Sequence, residues 1–287
     1  MMKQIIPLIR LDDPGSFIPA RATNSRILAI RGQDLITKKG FPNSRFYKIK
    51  HCGGIHSYLN YNGIVLLSFI MRDDLLEKIN TTIYTDLIDG VKPNYWTTPD
   101  CPSYNLERIH SRKQISRSYQ MTKEIIALCP DSRPIGHVKG ADEEQVRKHY
   151  EELHNLGINI FLLHTGDFFR HGDDGQIQKA KHYATIIKKK DNILLLYGFG
   201  SQKRLEEFSF ADGCLTFSHY VAALNGVIFQ GRKRCKYNNL HYTEAATHNL
   251  KQMQLNLIES KKQTKLFEGG KPWVVATEQH QELVIRR

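Results

Sequence analysis

The sequence predicts an α/β protein built as a (β/α)8 TIM barrel. Short apolar runs, each closing on polar or glycine residues, recur from residue 63 onward. Most are followed by a stretch of helical periodicity. The alternation repeats at roughly 30-residue spacing, which implies parallel strands. Polar closures at strand ends are how such a barrel assembles an active site on one face.

Residues 1–50 are the least regular. Arg26-Ile-Leu-Ala-Ile-Arg31 and Arg45-Phe-Tyr-Lys-Ile-Lys50 are short strand candidates, broken by Asp-Asp-Pro-Gly at 12–15 and Lys-Lys-Gly-Phe-Pro-Asn at 38–43. Breakers of this kind suit an antiparallel N-terminal section. The strand candidates that follow are Gly63-Ile-Val-Leu-Leu-Ser-Phe69, Asn94-Tyr-Trp-Thr-Thr-Pro-Asp100 and Pro134-Ile-Gly-His-Val-Lys-Gly140. Ile158-Asn-Ile-Phe-Leu-Leu-His-Thr-Gly-Asp167 and Asn192-Ile-Leu-Leu-Leu-Tyr-Gly-Phe-Gly200 come next, and Asp212 opens a further short strand. Helices are expected over 71–80, 107–128, 141–156, 176–190, 201–210 and 243–263; in the third, Val146, Tyr150 and Leu153 form an apolar stripe. The pattern alone does not separate a closed barrel from an open doubly wound sheet, but no G-x-G-x-x-G opens a helix, which disfavours a dinucleotide fold. The expected organisation is an N-terminal section over 1–50, a barrel over 51–268 and a tail over 269–287.

The 287 residues are 40% hydrophobic, enough for a sizeable core. The formal net charge is +12. Such an excess is either a solvated surface or the footprint of a nucleic-acid partner, and phosphate neutralisation makes the second the better reading. Clusters that could grip a backbone are Lys188, Lys189 and Lys190, and Arg232, Lys233, Arg234 and Lys236. Five scattered cysteines without a C-x-x-C argue against a disulfide scaffold and for a reducing, cytoplasmic setting. The N-terminus lacks a signal-peptide h-region, and no apolar run approaches the ~20 residues of a membrane span.

Several strand ends carry candidate chemistry. Asp100, between Pro99 and Pro102, is either a turn or cap aspartate or a carboxylate at the barrel mouth. Tyr104 is placed to stack a planar ligand or to pack. Asp212 is either a turn residue before Gly213 or a second carboxylate; glycosidic chemistry generally uses two. His164-Thr-Gly-Asp167 offers backbone N–H groups at His164 to Gly166, or a structural His–Asp pair. Lys139, alternating with His137, is costly inside a barrel unless it meets a charge or ligand. Gly198 and Gly200 allow close ligand approach. Cys235, His241 and His248 are the only local metal candidates, and their spacing fits no common zinc pattern.

In their order, these motifs resemble the tRNA-guanine transglycosylase superfamily, TIM-barrel enzymes that exchange guanine for a 7-deazaguanine base. Gly54-Ile-His-Ser-Tyr-Leu-Asn-Tyr-Asn-Gly-Ile-Val-Leu-Leu-Ser-Phe69 is similar to the family's G-L-H-x-F-[ML]-x-W-x-G-P-I-L-T-D-S segment. Pro99-Asp100-Cys101 with the Ser/Arg-rich helix after it resembles F-D-E-C-T-P. Gly136-His-Val-Lys-Gly140 resembles G-I-V-Q-G. Tyr197-Gly-Phe-Gly-Ser201 with Ala211-Asp212 resembles G-x-G-x-P…G-x-D-x-F-D, and Thr247-His-Asn-Leu250 resembles the terminal I-H-N-L helix. The resemblance spans about residues 54–268.

The chain departs from the pattern. The C-x-C-x-x-C zinc knuckle is missing, so no metal or other cofactor is expected. Ser68 stands at the Asp of T-D-S, and Lys139 at the Gln of V-Q-G. The family nucleophile falls near Leu215 or Thr216, so Asp212 takes that role only with a local shift. In a second register, Asp100-Cys-Pro-Ser-Tyr-Asn-Leu106 resembles the archaeal D-S-G-S-Y-Q-L motif, giving Asp100 the first-carboxylate role and Tyr104 the stacking role. The short, zinc-poor form is most like the DpdA-type branch, which inserts 7-deazaguanine derivatives into DNA.

The resemblance therefore implies a transglycosylase acting on DNA, with tRNA as the alternative substrate. Asp212 would attack C1′ and Asp100 would manage the base, with Ser68, Tyr104, Lys139, His164, Gly166, Gly198 and Gly200 around the substrate. Accessory modification proteins are possible partners; a membrane is not. The rival expectations are a hydrolase of free nucleosides and a non-catalytic nucleic-acid-binding subunit of a transglycosylase.

Overall fold

Eight parallel strands with apolar residues on both faces must be covered by helices on both sides, either as an open doubly wound sheet or as a closed barrel. A computed structural model shows the closed barrel, describing residues 4–102, 108–169, 174–198, 202–231, 233–237 and 240–263. Strands β1 (Gln4–Ile9), β2 (Ile27–Arg31), β3 (Ile64–Ser68), β4 (Tyr95–Thr97), β5 (Arg133–His137), β6 (Ile160–His164), β7 (Ile193–Tyr197) and β8 (Gly213–Thr216) pair in chain order. Every pair is parallel, and β1 closes the ring against β8.

Side chains alternate along each strand. Ile6, Leu8, Ile27, Ala29, Leu66, Ile135, Leu162, Leu195 and Leu215 fill the barrel. Their neighbours, such as Leu28, Leu67, Leu163 and Leu196, face outward into the helix layer.

That layer begins with α1 (Ile18–Ala22), α2 (Ser44–His51), α3 (Ile55–Leu59), α4 (Asp73–Leu76) and α5 (Thr81–Val91). It continues with α6 (Arg108–Leu128), α7 (Glu143–Asn155), α8 (Gly166–Phe169), α9 (Asp174–Ile187), α10 (Gln202–Glu207) and α11 (Ser218–Leu224). After α11 an antiparallel hairpin, β9 (Val227–Gln230) and β10 (Lys233–Lys236), lies outside the barrel. The last helix, α12 (Tyr242–Gln263), packs along α11 and α1 and so covers the seam between β8 and β1. Among the described residues no helix is long and apolar enough to cross a membrane.

The barrel is the one expected, but its beginning is not. Among the described residues, 4–50 do not form a separate antiparallel section: β1 and β2 are barrel strands, parallel to each other. Antiparallel pairing among the described residues there is the single bridge Ile36–Pro42. The segment 45–50 is helical. Asn43 caps α2 by accepting from the Arg45 and Phe46 N–H groups, and Phe46 and Ile49 are buried three residues apart on one face. The tail over 269–287 lies outside the described residues.

Candidate active site at the barrel mouth

The C-terminal ends of the strands define the mouth, and the loop after β4 is fixed there first. Thr98 donates its N–H to the Ile135 carbonyl (2.8 Å), and its hydroxyl accepts from His137 N–H (2.8 Å). Ser118 of α6 donates to the Pro99 carbonyl (2.7 Å). These bonds hold Asp100 in a set position before any side chain partners it.

Asp100 is buried, with 1% of its side chain exposed. Its Oδ1 accepts from Lys139 Nζ at 2.6 Å and from Cys101 N–H at 2.8 Å. Lys139 Nζ also donates to the Cys101 carbonyl at 2.6 Å. Asp100 Oδ2 is buried without a hydrogen-bond partner. Burial is the largest single influence and pushes the Asp100 carboxyl up, but the Lys139 ammonium, His137 and His164 together more than offset it and hold the group below the usual carboxylate range. Asp100 is thus an anion at neutral pH with one oxygen tied and one free.

His137 Nδ1 lies 3.6 Å from Asp100 Oδ1. Burial lowers its pKa to about 3; Asp100 works against that shift and Lys139 with it. The ring is neutral. Behind it, His149 Nδ1 accepts the Lys139 N–H at 3.1 Å, and burial lowers that imidazole to about 4. The His164 ring stands 6.5 Å from His137 and 5.0 Å from Tyr197, edge-on to each. Burial raises the Tyr197 phenol to about 12, with Arg31 opposing and Asp100 and Asp34 assisting.

Those interactions tie Tyr197 to a second charged group, on β1 and β2. Arg10 pairs with Asp12 at 2.7 Å, and Arg31 with Asp34 at 2.5 Å and with Asp12 at 3.7 Å. Asp34 also accepts the Leu11 N–H at 3.0 Å. Sequence reasoning missed Arg10, Asp12, Arg31, Asp34 and Tyr197. The signal was the alternation Ile6-Leu8-Arg10 and Ile27-Ala29-Arg31, which carries the inward face of each strand to a cation at the mouth.

The other candidates are distributed unevenly. Ser68 is at the mouth but fully buried. The Thr165 N–H is taken by the Tyr197 carbonyl at 2.8 Å. Gly198 has φ +100°, and a Cβ there would meet Gly166 backbone at 2.9 Å, so its close approach is to protein. Tyr104, Gly200 and Arg232 lie outside the described residues, as does the Asp167 side chain.

Asp212 is at the wrong end. It precedes β8, and its Oδ2 accepts from Lys188 Nζ and from Leu194 N–H, both at 2.8 Å. It ties the α9–β7 turn to the barrel floor and cannot share a site with Asp100. Lys188, Lys189 and Lys190 occupy that same floor. Lys233, Arg234 and Lys236 are exposed on the outer hairpin. Among the described residues no three metal-ligating side chains converge. Cys235 is instead near Gln230, and the His248 ring near the Phe229 carbonyl. No protein-family model and no curated protein matches the chain.

Proposed function

We propose that the chain is a base-exchanging transglycosylase that replaces guanine in a nucleic acid, DNA before tRNA, with a 7-deazaguanine derivative. The ordered motifs suggest the reaction. The observation that carries it is Asp100, an ionised carboxylate with a free oxygen, buried at the mouth of a TIM barrel.

The nucleophile is reassigned from Asp212 to Asp100. Once substrate binding exposes it, Asp100 Oδ2 attacks C1′ while the C1′–N9 electron pair leaves with guanine. The incoming base then attacks C1′ through N9, breaks the ester and gives up its N9 proton. That proton balances the one guanine takes up, and His164, half-buried beside Tyr197, is placed to carry it. The second carboxylate must come from the same end of the barrel. Asp12 is the accessible one, with 39% of its side chain exposed against 4% for Asp34. A duplex substrate has to extrude the target base, which costs a few kcal/mol, so unpaired segments should react more readily.

A second reading, a non-catalytic nucleic-acid-binding subunit, is favoured by the Lys139–Asp100 pair itself, since a buried ion pair also serves purely structural ends. Release of labelled guanine from DNA or tRNA in the presence of 7-cyano-7-deazaguanine separates the two. Asp100→Ala should abolish release and Asp212→Ala should retain it. Binding without release from either nucleic acid sinks the catalytic reading.

A further inference from the structure

The β2–α2 connection leaves the barrel at the same end as Asp100 and folds into a tight hairpin. The Ile36–Pro42 bridge closes it. Thr37 N–H donates to the Phe41 carbonyl at 2.8 Å, and Gly40 N–H to the Thr37 carbonyl at 2.9 Å. Asn43 anchors its base through the Asp34 and Ile36 carbonyls. Gly40, at φ +86°, packs against Lys78, and Lys78 Nζ donates to the Lys38 carbonyl at 3.0 Å. The tip is therefore rigidly placed.

What it displays is Lys38, Lys39 and Phe41, the last 62% exposed. Neither lysine ammonium has an ion-pair or hydrogen-bond partner among the described residues. Residues 35–71 carry five Lys and Arg and no Asp or Glu; the nearest acids after them, Asp73, Asp74 and Glu77, precede Lys78, and Asp74 is paired with Arg72. Tyr47, 57% exposed, and Lys48 continue the pattern on α2. One exposed aromatic is ordinary. A pinned aromatic among lysines that form no ion pair with the described residues, at the same end of the barrel as Asp100, matches a strand with anionic phosphates and stackable bases.

We propose that this hairpin is a nucleic-acid contact, in which Phe41 stacks on an unpaired base while Lys38, Lys39 and Lys78 meet flanking phosphates. The choice of ligand rests on the function proposed above; the chemistry of exchange is not required. The contact replaces the 188–190 cluster, which is at the opposite end, as the grip that presents a base to Asp100.

Anisotropy titration of the full chain with a fluorescein-labelled single-stranded DNA of about 20 nucleotides, at about 50 and about 200 mM salt, tests it. Phe41→Ala should weaken binding roughly five- to hundredfold without changing the salt slope, and Phe41→Trp should restore it. Lys38→Gln/Lys39→Gln should flatten the slope by about 1.4, the value for two phosphates on a single strand. Lys189→Gln/Lys190→Gln should leave the slope unchanged. The inference is overturned if both hairpin variants bind like wild type, if the 189/190 variant alone flattens the slope, or if no oligonucleotide binds. Guanine release measured in parallel keeps the two ideas apart. Hairpin-dependent binding without release sinks exchange and leaves the contact standing. Release with hairpin-independent binding does the reverse.

Discussion

Removing Lys139 should convert the Asp100 carboxylate from a stabilised anion into a stranded one, and the consequence can be worked from the geometry. At 2.6 Å the gross attraction between the two charges is about 6 kcal/mol for an effective dielectric constant of about 20. Much of that offsets the burial of both groups. Lys139→Met takes away the compensation and leaves the burial, and loss of one partner from such a pair costs about 3–5 kcal/mol. Urea unfolding at pH 7 should show a deficit of that size.

The pH dependence of the deficit is the sharper test. In the wild type the folded Asp100 pKa lies below its unfolded value, so its contribution is present above about pH 3.9 and is lost as pH falls through the folded pKa. Without Lys139 burial dominates and the folded pKa rises above the unfolded one. The variant then gains on the wild type as pH falls toward that raised value, because the folded carboxyl takes up its proton first. Protonation of His137, freed from Lys139, pushes in the same direction. The gap measured at pH 7 should narrow on acidification, and Asp100→Asn should remove most of the remaining penalty in the double variant. A gap absent at pH 7, or constant with pH, refutes the account of this pair.

Two further outcomes follow from buried polar groups in α11 and α12. His219 is fully buried with neither ring nitrogen bonded, and burial lowers its pKa to about 3. Stability tied to it is complete above about pH 6.5 and falls progressively as pH drops toward the folded pKa, so His219→Leu should reduce the acid slope by roughly 1.4 kcal/mol per pH unit; parallel urea-midpoint profiles for variant and wild type count against this. Asn249 accepts from Phe229 N–H at 2.7 Å and donates to the Val227 and His219 carbonyls at 2.9 and 3.1 Å. Asn249→Ala strands all three and should cost about 2–4 kcal/mol, with amide exchange rising first in β9; unchanged exchange there would mean that α12 does not hold the hairpin through this residue.

Asn249 belongs to the stretch read as the terminal helix motif, and its contacts bind that helix to the hairpin. A motif can thus be legible while its role is not. The same holds for the fold. Strands β3, β6 and β7 and helices α6, α7, α9 and α12 were legible because each is a periodic or continuous apolar run, while β4 and β5 were marked by the polar and glycine residues that close them. Strand β1 was not: Pro7 sits inside its six residues, and proline argues against a strand interior. Helices α2 and α5 were hidden by β-branched and aromatic residues that also suit strands, and only their asparagine caps, Asn43 and Asn80, mark them.

The two carboxylates show where a stricter reading of the chain would have gone further. Asp100 follows its apolar run and Asp212 precedes one. In a parallel barrel that difference is positional, because every strand opens on the floor and closes at the mouth. From Asp212 to the end of β8 the chain rises four residues, roughly 13 Å at about 3.3 Å each. No side chain of aspartate length spans that, and no local shift of register changes which end it leaves from. Strand polarity alone therefore separates the pair, and it directs the search for a second acid to residues that close strands. Asp12 and Asp34 meet that condition, brought to Arg10 and Arg31 by the inward alternation of β1 and β2.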